Sequence, residues 1–252
     1  MDKQELVSIV VPVYNAGRFL DETINTVKNQ TYENWELLLV DDCSTDDSKK
    51  VFLKYEDDKR IHWIRLTKNV GAAEARNNGI DRANGRYLCF LDADDKWDKN
   101  KIIEQVNYMK KTGCAFCYHS YEFADENCVP NGKKVIAKEK MTYKEALKNT
   151  IIFTSTVMFD LNQLDKKMVS MPNIKYIEDT ATWWKLLRSG QIAYGMPNLF
   201  SLYRRSSNTD SSKKLRMQKS LWYVYRKVEK LSFIEALYYW FIKNVNAVLR
   251  RI

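Results

Sequence analysis

The first third of the chain alternates apolar runs with segments of helical periodicity. The apolar runs predict four strands buried on both faces: VSIVVPV at 7–13, WELLLVDD at 35–42, HWIRL at 62–66 and YLCFLD at 87–92. Helical spacing predicts helices over 17–29, 47–55 (with Asp46 as its N-cap), 72–83 and about 98–110. This order predicts an α/β fold with a mostly parallel, doubly wound sheet and right-handed crossovers.

The second half of the chain has a less regular pattern. It predicts strands at 114–124 and 154–160, helices at 142–149 and 179–189, a turn-rich loop at 125–134 and a polar loop at 204–213. Two further helices are expected over 213–230 and 232–251. We therefore predict one large domain over 1–205, followed by a helical extension over 206–252.

Composition places the chain among globular proteins without a membrane span. Of its 252 residues, 45% are hydrophobic and 29% charged, which suffices for a packed core. The longest apolar run, 236–242, is far too short to cross a bilayer, and the N-terminus has no signal-peptide layout, so we expect a cytoplasmic protein. Five cysteines, among them an isolated Cys114-x-x-Cys117 in an apolar run, favour buried reduced thiols.

The net charge of +9 is concentrated at the C-terminal end. Acidic and basic residues balance over 1–200, so the whole excess lies in 201–252. The last predicted helix also carries an apolar stripe, formed by Ile234, Leu237, Phe241, Val245, Val248 and Ile252. Basic residues beside such a stripe indicate an interfacial helix on an anionic membrane surface. The alternative is that both helices pack on the domain or on a second copy in a homodimer. Without a recognition motif, no nucleic-acid partner is expected.

Polar residues follow the predicted strands, at the edge where open α/β sheets bind ligands. The sequence Asp92-Ala93-Asp94-Asp95 ends the fourth strand. Clustered carboxylates repel one another unless a cation joins them, and hard oxygen ligands suit Mg²⁺ or Mn²⁺. The alternative is a solvated acidic turn that precedes the next helix.

Two other strand ends carry candidate ligand-binding groups. Asp42, after the second strand, could accept a hydrogen bond from a nucleobase N–H or could belong to an ordinary turn. In the sequence NVGAAEARN at 69–77, Arg76 suits an anionic ligand or could be a surface arginine. No G-x-G-x-x-G follows the first strand, and no P-loop motif occurs, so a dinucleotide dehydrogenase and a P-loop NTPase both fit poorly.

Taken together, these motifs resemble those of family 2 glycosyltransferases with the GT-A fold. The resemblance rests on PVYN at 12–15, VDDCSTD at 40–46, NVGAAEARN at 69–77, GRYLCFLDADD at 85–95 and Glu178-Asp179. The stretches at 146–160 and 223–240 are similar to those of bacterial teichuronic-acid, capsule and exopolysaccharide glycosyltransferases. The resemblance implies a nucleotide-sugar half at 1–110 and an acceptor half at 111–205.

The resemblance also assigns roles on the donor side. Pro12 and Tyr14 would line a uracil and ribose pocket, and Asp42 would contact the base. Arg76 would lie near the base or the diphosphate. Asp94 would bind the metal directly, with Asp92 nearer the ribose.

On the acceptor side, the resemblance makes Asp179 the catalytic base. The alternative is an acid that stabilises a helix N-terminus. Glu178, Trp183 and Arg204 would have acceptor-side or secondary roles. Many relatives carry a histidine near positions 206–207, whereas this chain has serines there. A metal ligand from that loop is therefore not expected, and Arg204 would contact diphosphate or be solvated.

The implied function is inverting, metal-dependent transfer of a sugar from a nucleotide-sugar, most simply a UDP-sugar, to a lipid-linked glycan. The enzyme would act on the inner face of the plasma membrane in surface polysaccharide synthesis. One alternative is a catalytically inert nucleotide-sugar-binding or scaffold subunit. A nucleotidyltransferase is another, disfavoured because no Gly-rich phosphate loop with Lys or Arg follows the first strand.

Overall fold

The computed structural model describes residues 4–149, 151–205 and 214–249. Its strands are β1 (Val7–Val13), β2 (Trp35–Asp41), β3 (Ile61–Arg65), β4 (Tyr87–Phe90), β5 (Lys96–Trp97), β6 (Phe116–Ala124), β7 (Pro130–Val135), β8 (Lys140–Met141), β9 (Met158–Asp160) and β10 (Ala193–Arg204). Its α-helices are α1 (Leu20–Lys28), α2 (Ser48–Leu53), α3 (Ala72–Arg82), α4 (Lys101–Thr112), α5 (Tyr143–Lys148), α6 (Lys166–Val169), α7 (Glu178–Arg188), α8 (Lys214–Tyr223) and α9 (Phe233–Leu249). A 3₁₀ turn spans Thr154–Thr156, and a π-helical turn spans Val224–Val228.

The described strands form one sheet in the order β3-β2-β1-β4-β9-β6-β10-β5, with β7 beside β6 and β8 beside β10. The first four strands in this order are parallel, as the alternating pattern predicts. Strand β9 runs antiparallel to both β4 and β6, whereas β10 runs parallel to β6. The predicted mostly parallel α/β fold with C-terminal helices is confirmed, and its second half is mixed.

Helices cover both faces of the sheet, so the molecule has a core on each side. Val10 of β1 points into a core shared with α3, α7 and the C-terminal helices. Its neighbours Ile9 and Val11 point into the opposite core, with α1, α2 and α4. This alternation on a fully buried strand is the doubly wound arrangement. Helix α3 lies very close to β1, because a Cβ on Gly79 would meet Val10 Cγ1 at 2.3 Å.

The structure corrects several predicted boundaries. The segment 125–134, predicted as a loop, contains a turn and then β7, which pairs antiparallel with β6. Strand β10 was not predicted, and its register with β6 shifts twice between Met196 and Ser201, where Pro197 and Asn198 break the apolar pattern. Helix α2 begins at Ser48, although the carboxylate of Asp46 still accepts the Ser48 N–H at 3.0 Å.

The predicted pair of buried thiols is confirmed. Cys114 is 6% exposed, Cys117 is fully buried, and all five cysteines are free. A hydrogen bond from Cys117 lowers the pKa of the Cys114 thiol to about 7. Burial raises the pKa of the Cys117 thiol well above its ordinary value.

The C-terminal helices pack against α5 and α7. Tyr225 of the π-helical turn stacks on Trp184 with ring centroids 4.9 Å apart, and its hydroxyl donates to the Leu147 carbonyl at 2.6 Å. Glu229 accepts hydrogen bonds from Arg188, at 2.8 Å, and from Tyr143. The division at residue 205 stays a prediction. None of the helices in the described ranges is both long and apolar enough to cross a bilayer.

Candidate active site at the carboxyl edge of the sheet

The loops after β1 and β2 are tied to each other at the carboxyl edge of the sheet. Asn15 N–H donates to Ser44 Oγ at 3.0 Å, and the Thr45 N–H donates to Asn15 Oδ1 at 2.8 Å. Asn15 has a φ of 49°, in the left-handed region that asparagine tolerates. Pro12 is half-buried in β1, and Tyr14 is 56% exposed. The exposed ring of Tyr14 is free to stack on a flat ligand at this edge.

Asp42 organises the loop that leads into α3. Its carboxylate accepts the backbone N–H groups of Val70, at 2.7 Å, and Gly71, at 2.8 Å. Gly71 has a φ of 88°, which a side chain would strain, so glycine suits this position. Asp42 is 3% exposed, and each of its carboxylate oxygens keeps one lone pair for a further donor. Contact with a nucleobase stays a prediction.

The acidic turn after β4 has one carboxylate that points inward. Asp95 is fully buried and accepts hydrogen bonds from Ser155 Oγ, at 2.6 Å, and from the Arg204 N–H, at 3.1 Å. Burial and the charges of Asp94 and Asp92 raise its pKa well above the ordinary value. The alternative of a solvated acidic turn is therefore wrong for Asp95, which anchors the turn to the rest of the edge.

Asp92 and Asp94 are the carboxylates that could hold a divalent cation. Burial and then the charge of Asp92 raise the pKa of Asp94 to about 6. A cation would relieve this repulsion, so the donor set fits Mg²⁺ or Mn²⁺. Among the described residues no group of three His, Cys, Asp or Glu could hold a metal. Two carboxylates therefore suit a site that substrate phosphates complete, as is usual for Mg²⁺.

Arg76 links the acidic turn to the start of α7. Its Nη2 lies 2.6 Å from Asp92 Oδ1, and its Nη1 lies 3.3 Å from Glu178 Oε1. Arg76 is 6% exposed, so the alternative of a surface arginine is wrong. Its Nε and the second carboxylate oxygen of Glu178 are buried, and neither has a hydrogen-bond partner among the described residues. Burial and the neighbouring charge of Asp179 raise the pKa of Glu178, against the lowering effect of Arg76.

Asp179 lies in the first turn of α7, where the helix dipole favours a negative charge. Its Oδ2 accepts a hydrogen bond from Thr154 Oγ1 at 2.9 Å, and its Oδ1 accepts the Thr180 N–H. The residue is half-buried, and each carboxylate oxygen has a lone pair left for a further donor. The helix N-cap position is taken by Ile177, not by Asp179. Its role as a base stays a prediction.

The 3₁₀ turn Thr154–Thr156 supports both acidic segments, although the sequence analysis predicted it as the start of a strand over 154–160 and gave it no role in the site. Thr154 holds the carboxylate of Asp179, while Ser155 Oγ accepts the Asp92 N–H at 3.1 Å and donates to Asp95. The hydroxyl run TST after an apolar stretch is the signal that could have revealed it.

Two predicted acceptor-side residues lie inside the protein. Trp183 is 2% exposed and packs among Phe90, Phe116 and Phe159 in the core, so it has no surface for an acceptor. The prediction of an acceptor contact for Trp183 is therefore corrected to a packing role. The large apolar area that an indole buries explains this placement.

Arg204 is 3% exposed, so the alternative that it is solvated is wrong. Its Nε donates to the Asp94 carbonyl and its Nη1 to the Glu126 carbonyl, both at 2.6 Å, and its Nη2 pairs with Glu22. These bonds hold the backbone of the acidic turn in place from the interior of the protein. Contact with diphosphate stays a prediction. The serines at 206 and 207 lie outside the described residues.

Sequence comparison identifies a family and close relatives. The family model described as Glycosyl transferase family 2 matches residues 8–163. The chain is 42% identical to TuaG of Bacillus subtilis, a glycosyltransferase assigned to teichuronic acid biosynthesis, over 98% of each chain. It is 37% identical to WfgD of Escherichia coli, over 86% of this chain and 84% of the relative. WfgD is named as a UDP-Glc:α-D-GlcNAc-diphosphoundecaprenol β-1,3-glucosyltransferase.

Solved structures share the fold. Staphylococcus aureus TarS in complex with UDP-GlcNAc superimposes with a TM-score of 0.72 at 18% identity, over 88% of this chain and 65% of that chain. The mannosyltransferase PcManGT of Pyrobaculum calidifontis, solved with GDP-Man and Mn²⁺, gives a TM-score of 0.70 at 16% identity, over 92% of this chain and 66% of that chain. The chain thus spans slightly less than two thirds of each of these solved chains.

Proposed function

The chain belongs to glycosyl transferase family 2, and on that premise we propose that it transfers a sugar from a UDP-sugar to a hydroxyl of a lipid-linked glycan, with inversion at the anomeric carbon. The observation that carries the proposal is the convergence of Asp92, Arg76 and Glu178 beside Asp179 at the carboxyl edge of the sheet. Such a cluster of charged groups in the ligand-binding position of an α/β sheet is typical of an active site.

Asp179 is the proposed general base. An acceptor hydroxyl has a pKa far above 7, so its attack on the anomeric carbon requires a carboxylate that takes the proton during bond formation. Thr154 Oγ1 and the Thr180 N–H hold this carboxylate in one orientation. One base suffices for a single displacement, in which the acceptor oxygen attacks from the face opposite the departing UDP. The configuration of the sugar therefore inverts.

Asp94 and Asp92 would hold Mg²⁺ or Mn²⁺ together with the donor diphosphate. The cation would act as a Lewis acid on the negative charge that grows on the leaving UDP. Arg76 keeps Asp92 in place through its 2.6 Å contact and adds positive charge behind the acidic turn. The buried Asp95 and Arg204 fix the backbone on which both metal-binding carboxylates lie.

The donor nucleotide would bind along the loops after β1 and β2. The ring of Tyr14, exposed at the edge, offers a stacking surface for uracil or ribose. Asp42 has a free lone pair on each oxygen for the uracil N–H. WfgD is named for a UDP-Glc donor, which supports a UDP-sugar donor for this chain.

The proposed acceptor is a sugar linked to undecaprenol through a diphosphate, in the synthesis of a bacterial surface polysaccharide. The names of WfgD and of WfaP, a second Escherichia coli relative that is 34% identical, include this acceptor class. Such a substrate lies at a membrane surface, so the protein would work on the cytoplasmic face of the plasma membrane.

The outward face of α9 supports attachment to that membrane. Ile234 is 79% exposed, Phe241 60% and Leu237 48%, while Ala236 and Lys243 point inward. The apolar stripe predicted from the sequence thus faces solvent, apart from its last positions Val248 and Ile252, whose side chains lie outside the described set. Full-length protein should float with anionic liposomes at low salt. Residual attachment at high salt would measure burial of the stripe, because salt screens the charges.

A donor screen tests the proposed function. Full-length protein with a membrane fraction should consume one UDP-sugar and release UDP, and the Asp179→Asn variant should bind UDP but not release it from the donor. If no nucleotide-sugar is consumed although UDP binds to the wild type, the protein is a catalytically inert nucleotide-sugar-binding subunit and the proposal is wrong.

A further inference from the structure

A surface groove lies between α8, the π-helical turn and α9, away from the residues of the acidic turn. Its volume is about 750 Å³, within the usual range for small-molecule sites. Its lining residues are Leu215, Gln218, Lys219, Trp222, Tyr223, Arg226, Lys227, Leu237 and Trp240. The α8 residues follow helical spacing, so they form one continuous face.

The polar atoms at the base of the groove already have partners inside the protein. Trp240 Nε1 donates to Gln218 Oε1 at 2.8 Å, and Gln218 Nε2 donates to Asn244 Oδ1 at 2.8 Å. These bonds join α8 to α9, and Trp240 itself lines the groove. The side chains of Leu215 and Tyr223 are 73% and 53% exposed at its edges. The groove is therefore a preformed apolar surface. Covering it with an apolar chain would lower the free energy, because apolar area would leave water.

The polar part of the lining is positively charged. Lys219, Arg226 and Lys227 belong to it, and none of the described residues that line it is acidic. Among the described residues, neither Lys219 nor Lys227 forms an ion pair with a carboxylate of this chain. An apolar groove edged by lysine and arginine is complementary to an amphiphile with an anionic head and a hydrocarbon chain.

The beginning of α8 lies next to the loop that leads to the proposed base. Arg216, adjacent to Leu215 at one end of the groove, donates a hydrogen bond to the Tyr176 hydroxyl oxygen, and this contact raises the pKa of Arg216. Tyr176 has a φ of 76° and immediately precedes Ile177, the N-cap of α7. The groove therefore begins close in structure to the helix start that carries Glu178 and Asp179.

We propose that this groove binds the prenyl chain of the prenyl-diphosphate-linked acceptor, with the diphosphate near Lys219 and the other basic side chains. The inference rests on the function proposed above, because it names where the lipid part of that acceptor lies. The chain in the groove would place the sugar toward Asp179 by way of the Tyr176 loop. A second copy of this protein fits less well, because its own groove would bring the same positive charges together.

A binding measurement tests the groove without any catalytic turnover. Geranylgeranyl diphosphate should bind full-length protein in detergent-free buffer, below its aggregation threshold, and quench tryptophan fluorescence. The signal should fall in Trp222→Phe and Trp240→Phe, since both indoles line the groove. Leu215→Glu should weaken binding at least about tenfold by placing a carboxylate against the chain. Leu215 is highly exposed, so this substitution leaves the fold intact.

Ile234→Glu is the matched control, because Ile234 is 79% exposed on the outward face of α9 but does not line the groove. It should weaken attachment to liposomes while leaving binding of geranylgeranyl diphosphate unchanged. Leu215→Glu should weaken binding of geranylgeranyl diphosphate while leaving attachment to liposomes unchanged. A kinetic comparison in detergent adds a second readout: the wild type should prefer an acceptor with a geranylgeranyl chain to one with an ethyl group by at least about tenfold in kcat/KM.

The outcomes separate this inference from the function on which it rests. Probe binding at the groove without transfer to any acceptor would support the groove and contradict the proposed function. Transfer with equal kcat/KM for both chain lengths, together with no probe binding, would overturn the groove and leave the function intact. Equal binding of palmitate would overturn the choice of a prenyl diphosphate. A dimer that Leu215→Glu dissociates, without probe binding, would make the groove a self-association surface and also overturn the proposal.

Discussion

The carboxyl edge of the sheet and the outward face of α9 differ in how their side chains are held. At the edge, Arg76, Asp95 and Asp179 each have partners from elements distant in sequence, and Arg76 and Asp95 are buried. On α9, Ile234 and Phe241 are exposed. The edge is preorganised by the chain itself, whereas the apolar face is left for something outside the chain to cover.

This difference indicates that the two regions have different roles. Preorganised charges lower the barrier to a reaction because they need no rearrangement at the moment of bond breaking. An uncovered apolar stripe contributes nothing to that step, but it gains free energy when it enters a membrane interface. Substitutions at the edge should therefore change kcat, and substitutions on α9 should change where the protein is found.

The largest effect is expected from Asp179→Asn, which removes the proposed base with almost no change in shape. The kcat value should fall about 10²–10⁴-fold, while the dissociation constant for UDP stays within about twofold of the wild-type value. Steady-state kinetics and calorimetry with UDP measure the two quantities. A variant that loses UDP binding but keeps its rate at saturating donor would show that Asp179 only stabilises the start of α7.

Asp94→Asn should lower turnover at least about 10²-fold, because several kcal/mol of charge stabilisation on the leaving diphosphate depend on the cation. EDTA should inhibit the wild-type protein similarly, and added Mn²⁺ or Mg²⁺ should restore activity. Asp98→Asn, which changes an exposed carboxylate a few residues away, is the matched control and should keep normal turnover. Full activity of the wild type in EDTA would contradict the metal assignment.

Thr154→Val should lower kcat about tenfold to a hundredfold, because the 2.9 Å hydrogen bond from Thr154 to the charged Asp179 is lost. Thr154→Ser keeps a hydroxyl and should restore most of the rate. Thermal denaturation of both variants checks the fold. If serine and valine reduce kcat equally, Thr154 matters for packing and does not orient the base.

Ile234→Glu should reduce attachment to anionic liposomes about tenfold, since one large apolar side chain no longer enters the interface. Hydrolysis of the UDP-sugar by water, in the absence of liposomes, should be unchanged because the catalytic edge lies elsewhere. Flotation and UDP release are the measurements. Unchanged flotation, with a shift from dimer to monomer in sedimentation, would assign the face of α9 to a homodimer.

The sequence was most informative where local patterns decide the structure. The buried strands β1 and β2 and the helix periodicity of α1 and α3 follow from residues that are neighbours along the chain, so their positions were predicted within a few residues. Strand β10 was missed because Pro197 and the register shifts near it interrupt the apolar alternation. Its pairing with β6 is decided by contacts between distant segments.

Local sequence patterns were limited in the same way at the candidate site. Asp92, Asp94 and Asp179 were selected from residue type and motif, and the structure brings them to one edge. The contact of Arg76 with Glu178 and the support from Thr154 depend on tertiary packing, which no local pattern reveals. The acceptor contact predicted for Trp183 was wrong because a tryptophan one helical turn after the proposed base can face either an acceptor or the core. The structure buries its indole in the core.

The stereochemistry of the product tests the central claim, a single displacement with Asp179 as the base, most directly. Proton NMR of the transferred sugar during early turnover reports the anomeric configuration through the coupling of its anomeric proton. The account predicts that an α-linked UDP-sugar gives a β-linked product from the first turnover. An α-linked product would require a second displacement or a different attack geometry, and would contradict the role assigned to the carboxyl edge of the sheet.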